Sequence, residues 1–320
     1  MKILVTGAAG FMGSAFIKLF FEDKLKNIES ITILDKLTYA GDIERIRPYI
    51  GAKIDFIHGD IADEYIVEQA MSKIDACINY AAETHVDNSI TNPDVFYQSN
   101  IIGTTVLLNA ARKYSISKFI QISTDEVYGA ITEGEWDEES SLDPSSPYSA
   151  SKLSADLIVK SYFKTYELPV VITRSCNNYG PGQNLEKLIP KTFTNALSNK
   201  KIPLYGNGSN IREWLYVEDH ARATYNALIK GKPGEIYNIG SGIRCTNLEL
   251  IKKILSISGR NSDLIEFVQD RKGHDFRYAL NSKKASEFID FSPEINLEEG
   301  LNRTLNYYQN LSIDKNEHSI

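Results

Sequence analysis

The run Lys2-Ile3-Leu4-Val5-Thr6 leads straight into Gly7-Ala8-Ala9-Gly10-Phe11-Met12-Gly13, and no other stretch narrows the possible folds as much. A short β-rich run, a G-x-x-G-x-x-G loop and a helix-length segment form the opening of a βαβ unit. Glycines let a backbone approach a pyrophosphate closely, and a helix start offers unpaired N–H groups with a favourable dipole. Three glycines alone also suit a plain turn; their place between a strand and a helix favours a dinucleotide loop. Asp35 ends the next apolar run, where a carboxylate can accept both hydroxyls of an adenosine ribose and repels a 2′-phosphate. NAD is therefore expected over NADP, with Lys36 as a neighbour of contrary sign. Gly59-Asp60-Ile61 stands either near an adenine or in a surface turn.

The same alternation continues down the chain. Short runs rich in Ile and Val predict strands at 2–6, 30–34, 53–57, 76–79, 118–122 and 170–174, with helices at 11–26, 93–114 and 147–166. Such alternation predicts an α/β fold, a parallel sheet covered by helices on both faces. After residue 175 turn-rich pieces separate helix candidates near 187–199, 218–230 and 247–258, which reads as a smaller mixed cap. Residues 1–175 are expected to bind the cofactor, with segments near 211–240 returning to that part, and 176–320 to bind the substrate. The mostly polar tail from about 311 is expected to fray.

Composition excludes other classes. The net charge of −7 argues against nucleic acid or an anionic membrane as the main partner. No apolar run approaches membrane-spanning length. Glycines interrupt the apolar start, which argues against a signal peptide. Three scattered cysteines suit a reducing compartment, and a cytoplasmic location is expected. Five scattered histidines without ligand spacing argue against a metal.

The chemistry is expected at two places. Tyr148 and Lys152 stand at i and i+4, so on a helix they share a face and the ammonium can lower the phenol's pKa. Such a spacing is also common in solvated helix pairs. Upstream, Ser123-Thr124-Asp125-Glu126 falls at the carboxyl end of the fifth strand, the edge where open α/β sheets bind ligands. The adjacent carboxyls are either a solvated loop or an acid and a base held at different pKa values.

With those residues in view the chain resembles the extended short-chain dehydrogenase/reductase family. Within it the nucleotide-sugar 4,6-dehydratases are most similar, the dTDP-glucose branch above all. The motifs that carry the resemblance are GAAGFMGS at 7–14, LDKLTYAGD at 34–42, AAETHVDNSI at 81–90, STDEVYG at 123–129, PSSPYSASK at 144–152 and NNYGP at 177–181. EKLIP at 186–190, PLYGNGSNIREWLYVEDHARA at 203–223 and DRKGHDFRYAL at 270–280 continue it. The resemblance implies a Rossmann-type doubly wound sheet holding NAD and a smaller α/β region holding a nucleotide sugar. NAD contacts are implied from Gly7, Gly10, Phe11, Met12, Gly13, Asp35, Lys36, Leu37 and Thr38. Further cofactor contacts are implied from Asp60, Ile61, Ala81, Ala82, Glu83, Asn100, Ser123, Tyr148, Lys152 and Asn178. His85 and Thr124 are implied near the hexose, and Asn177, Lys187 and Leu188 near the diphosphate. Pro203, Leu204 and Tyr205 are implied at the base, and Arg212, Asn247, Arg271 and His274 at phosphates and ribose.

The implied reaction begins when Tyr148, supported by Lys152 and Thr124, takes the C4 hydroxyl proton while hydride leaves C4 for NAD. Glu126 then removes the C5 proton, Asp125 protonates the departing C6 hydroxyl, and hydride returns to C6. A homodimer is implied through the helices near 93–114 and 147–166. Alternatives are a dehydratase of UDP- or CDP-glucose, a 4-epimerase or decarboxylase, and a non-catalytic NAD sensor. Gly182-Gln183-Asn184-Leu185 departs from the family pattern beside the implied diphosphate grip, and Asp290-Phe291 stands where Gly-Trp is usual.

Overall fold

Ile3 and Val5 pack on one side of the first strand and Leu4 on the other, and all three are fully buried. A strand apolar on both faces needs helices on both. The computed structural model describes residues 1–270 and 275–317. It opens with β1 (Lys2–Thr6), α1 (Phe11–Phe21), β2 (Ser30–Asp35), β3 (Ile54–His58), α2 (Glu64–Met71) and β4 (Ala76–Asn79). Next come α3 (Val86–Thr91), α4 (Asp94–Phe96), α5 (Thr104–Lys113), β5 (Lys118–Thr124), α6 (Pro147–Tyr166), β6 (Val170–Ser175) and β7 (Asn177–Tyr179). Then follow α7 (Leu188–Leu197), β8 (Ile202–Tyr205), β9 (Ile211–Tyr216), α8 (Val217–Lys230), β10 (Ile236–Ile239) and β11 (Arg244–Thr246). The chain closes with α9 (Asn247–Ile257), β12 (Ile265–Val268), α10 (Lys283–Ile289) and α11 (Leu297–Glu317).

Seven parallel strands form the central sheet in the order β10-β6-β5-β4-β1-β2-β3. One face packs residues of α1, α8 and α10, the other residues of α2, α5 and α6. This is the expected Rossmann-type doubly wound architecture. The strand order reverses between β1 and β4, and at such a switch the carboxyl ends leave a crevice for ligands. The smaller part carries a three-stranded sheet, β11-β9-β7, and the pair β12-β8. Its core joins Tyr179, Phe193, Trp214, Leu250 and Leu305. No helix among the described residues is long and apolar enough to cross a membrane.

Two local departures have physical causes. Helix α1 stops at Phe21 because Asp23 turns left-handed (φ 57) and the Asp23 and Lys24 N–H groups bond back to Phe20 and Leu19. That closes the helix as a Schellman end. The helix expected over 93–114 widens to wider i→i+5 turns at Tyr97–Gly103. There the Asn100 side chain bonds both backbone groups of Glu83, and Gly103 packs so closely on Ile61 that a Cβ would lie 2.5 Å from it. Helix α11 runs to Glu317. Asp290 closes α10 in a left-handed conformation, the place where glycine is least strained.

Candidate active site

The carboxyl ends of β1, β2, β4, β5 and β6 open into one cleft, and the first wall is the glycine loop. Gly7 has φ +68, and a Cβ there would sit 2.5 Å from the Ala81 nitrogen; one at Gly13 would sit 2.7 Å from the Gly7 carbonyl oxygen. Both positions therefore exclude a side chain, and Gly7, Gly10, Phe11, Met12 and Gly13 line the cleft. Asp35, at the end of β2, is buried and accepts N–H bonds from Ala9 and Leu37, each at 2.8 Å. Burial pushes its carboxyl above the usual range. Lys36 and Thr38 are on the wall, while Leu37 only supplies the N–H. Lys36 Nζ donates to Asp60 Oδ2 at 2.6 Å, so its charge is already matched and does not offset Asp35. Ile61, Ala81, Ala82 and Glu83 complete this side.

A dinucleotide fits this wall. Ser123 Oγ and Asn178 Oδ1 are buried and have no hydrogen-bond partner among the described residues, yet both residues face the cleft. Buried polar atoms are ordinarily satisfied, so both point to a polar ligand. Asn100 stands behind the wall, where its amide donates to the Ser151 hydroxyl at 2.8 Å and ties the Glu83 loop to α6.

The chemical centre forms where β5 ends. Thr124 caps a short turn, Asp125–Tyr128, by accepting the Glu126 N–H at 3.3 Å. Asp125 is 3% exposed. Burial first, then the charges of Glu126 and Glu213, push its carboxyl well up, with Arg212 pulling the other way. Helix α6 begins at a capping box in which Ser146 and Ser149 bond each other's backbone N–H, with Pro147 in the first turn. That start sets Tyr148 and Lys152 on the buried face. Lys152 Nζ donates to the Ile122 carbonyl at 2.6 Å, and burial lowers its pKa to about 8. The phenol of Tyr148 lies above its usual value, because burial and the Glu126 carboxylate outweigh the hydrogen bond to Thr124.

The substrate-side residues divide. Asn177 and Lys187 line the cleft, and Lys187 Nζ reaches the Thr84 carbonyl at 3.3 Å. His85 stands off the wall as the cap of α3, its Nδ1 accepting from Asn88 N–H at 3.2 Å and its Nε2 3.8 Å from Glu186. Leu188 starts α7 and packs against the small core. Pro203, Leu204 and Tyr205 belong to β8, paired with β12. Arg212 donates to the carbonyls of Ile211, Asp275 and Phe276 and stacks on Tyr278 at 4.4 Å. Asn247 starts α9, with Oδ1 unmatched among the described residues. Arg271 and His274 lie outside the described residues.

Sequence reading missed several contributors. Arg45 donates to the carbonyls of Ala9 and Ala40, joining two loops of the cofactor wall. Gln183 lines the cleft and donates to the Asn178 carbonyl at 2.8 Å. Asp156 and Arg174 pair behind the centre. Only Asp156, one helical turn past Lys152, carried a local signal.

The chain is similar to known proteins over nearly its whole length. The model of the family described as GDP-mannose 4,6 dehydratase matches residues 4–304. The low-salt glycan biosynthesis protein Agl12 of Haloferax volcanii is 46% identical over 96% of this chain and 98% of its own. A dTDP-glucose 4,6-dehydratase of Streptomyces niveus is 45% identical over 97% and 93%. The crystal structure of DesIV, a dTDP-glucose 4,6-dehydratase from Streptomyces venezuelae with NAD bound, superposes with a TM-score of 0.95 at 42% identity, covering 97% of each chain. A family model that matches nearly the whole chain, with relatives above 40% identity over its length, shows that this chain belongs to the GDP-mannose 4,6 dehydratase family.

Proposed function

We propose that this chain is an NAD-dependent 4,6-dehydratase that converts dTDP-glucose to dTDP-4-keto-6-deoxyglucose and water. The observation that carries the reading is the Asp125–Glu126 pair, set beside Tyr148 and Lys152 on one cleft wall. Two carboxyls so close are not both ionised with ease, and the buried one is driven toward its protonated form. Asp125 is then an acid with a proton to give, and Glu126 a base. A simple hydride-transfer site needs neither.

Bound NAD supplies reversible storage of a hydride, so no outside reductant is consumed. The residues of this chain manage the protons. Tyr148, whose phenolate needs the Lys152 ammonium against the burial that raises its pKa, accepts the proton of the C4 hydroxyl as C4 is oxidised. The C4 carbonyl acidifies C5, whose proton Glu126 removes. Asp125 gives its proton to the C6 hydroxyl, which leaves as water, and C5 is reprotonated as C6 is reduced. Gly7, Gly10, Gly13 and Asp35 hold the dinucleotide; Asn177 and Lys187 face the substrate diphosphate. We read residues 1–175, joined by α8 and β10, as the cofactor-binding part and the remainder as the substrate-binding part.

The enzyme is further proposed to pair as a homodimer, since Ile90, Val95, Tyr97, Ile102 and Leu157 are exposed apolar residues on the helical region 86–166. Free thiols at Cys77, Cys176 and Cys245 support a cytoplasmic setting. The test is incubation with dTDP-glucose, UDP-glucose and CDP-glucose in turn, with products read by NMR. Loss of water from dTDP-glucose is expected; C4 epimers alone would sink the assignment.

A further inference from the structure

Asp156 and Arg174 form an ion pair directly behind the chemical centre, with Arg174 Nε donating to Asp156 Oδ2 at 3.0 Å and side-chain exposures of 0% and 1%. A pair so deeply buried loses most of its hydration and is often no more stable than an apolar pair of equal volume. Its contacts give it another use. Asp156 lies one turn beyond Lys152 on the same face of α6, and its charge acts on both Lys152 and Tyr148. Arg174, on β6, is in register with Ser123 of β5 and Asn238 of β10. Its guanidinium lies 4.8 Å from the centre of the Tyr128 ring, whose hydroxyl donates to Asn238 Oδ1 at 2.8 Å. Tyr128 ends the turn that carries Asp125 and Glu126.

We propose that Asp156 and Arg174 are positioning residues that lock the Asp125–Tyr128 turn and the Tyr148–Lys152 helix into one geometry, with the Asp156 carboxylate set one turn behind Lys152. The proposal rests on the dehydratase reading, because it couples the oxidation half of the site to the elimination half. Lys152 is faced by Asp156 from its own helix and by the Ile122 carbonyl from β5. Tyr148 is faced by Thr124, Asp125 and Glu126 from the neighbouring turn and by Asp156 from behind.

The test is the double variant Asp156→Leu with Arg174→Met, which removes both charges and leaves neither buried alone. Thermal unfolding, retained NAD, KM and the pH profile of kcat are measured against wild type. Unfolding temperature, NAD content and KM are expected to hold, with kcat reduced about 10²-fold. The alkaline limb is expected at lower pH, since Lys152 has lost its carboxylate neighbour. A folded double variant with wild-type kcat and an unmoved limb overturns the proposal. Arg174→Lys is the second arm, used also where the double variant does not fold. It keeps a cation for Asp156 but loses the planar group against Tyr128, so kcat is expected to fall with the limb in place. A lysine variant as fast as wild type overturns the coupling to the Asp125–Tyr128 turn. Absence of dehydrated product with wild-type enzyme sinks the dehydratase reading itself, whereas a fast variant beside an active wild type sinks only the positioning role.

Discussion

Lys152 Nζ donates to the carbonyl oxygen of Ile122 at 2.6 Å, which holds the ammonium at the carboxyl end of β5 beside Tyr148. Its pKa, lowered by burial to about 8, predicts an alkaline limb in the pH profile of activity. As pH rises through about 8 the ammonium loses its proton and its support for the Tyr148 oxyanion, so kcat should fall. Lys152→Met should lower kcat about 10²–10⁴-fold at neutral pH and remove that limb. Initial rates across the pH range check both.

Asp125 and Glu126 should fail differently. Asp125→Asn cannot give a proton to the leaving hydroxyl, so product formation should drop about 10²–10⁴-fold. Exchange of the C5 hydrogen with solvent should persist, because Glu126 remains. Glu126→Gln should stop that exchange as well. Deuterium incorporation at C5, followed by NMR in heavy water, separates the two; persistent exchange at the original rate in Glu126→Gln removes Glu126 as the base.

Gly7→Ala tests the cofactor wall. The positive φ alone costs roughly 1–2 kcal/mol for a residue with a Cβ, and the approach to Ala81 adds to it. A lower unfolding temperature is expected, together with loss of NAD on desalting. A variant that keeps its NAD would show that the loop tolerates more room than its geometry allows.

His220 should make stability depend on acid. It is fully buried, edge-on to Tyr80 at 6.0 Å, and neither ring nitrogen has a partner among the described residues. Burial lowers its pKa from 6.5 to about 3. Between those values the unfolded chain binds a proton that the folded chain refuses, so its contribution is complete above pH 6.5 and is lost as pH falls toward 3. The slope from this group is at most about 1.4 kcal/mol per pH unit. His220→Leu should flatten the acid side of the stability curve relative to wild type in denaturant titrations.

What was legible in the sequence was local. The glycine spacing, the apolar runs of the first six parallel strands, Asp35, Tyr148 with Lys152, and the Asp125–Glu126 pair all stand within short windows whose periodicity or spacing has a direct physical meaning. Tertiary structure decided the rest, because it depends on residues far apart in the chain and on which of them lose their water. Burial and the Glu126 carboxylate raise the Tyr148 phenol, a push that only packing creates. Glu83, drawn to Asn100, widened a helix that the sequence alone would keep regular. His85, Tyr205 and Arg212 stand off the cleft wall, since the first caps a helix, the second ends a paired strand and the third holds backbone carbonyls. The union of Asp156 with Arg174, 18 positions apart, exists only once α6 has packed on β6. Sequence determined which groups can do the chemistry; packing determined their charge and their distance from it.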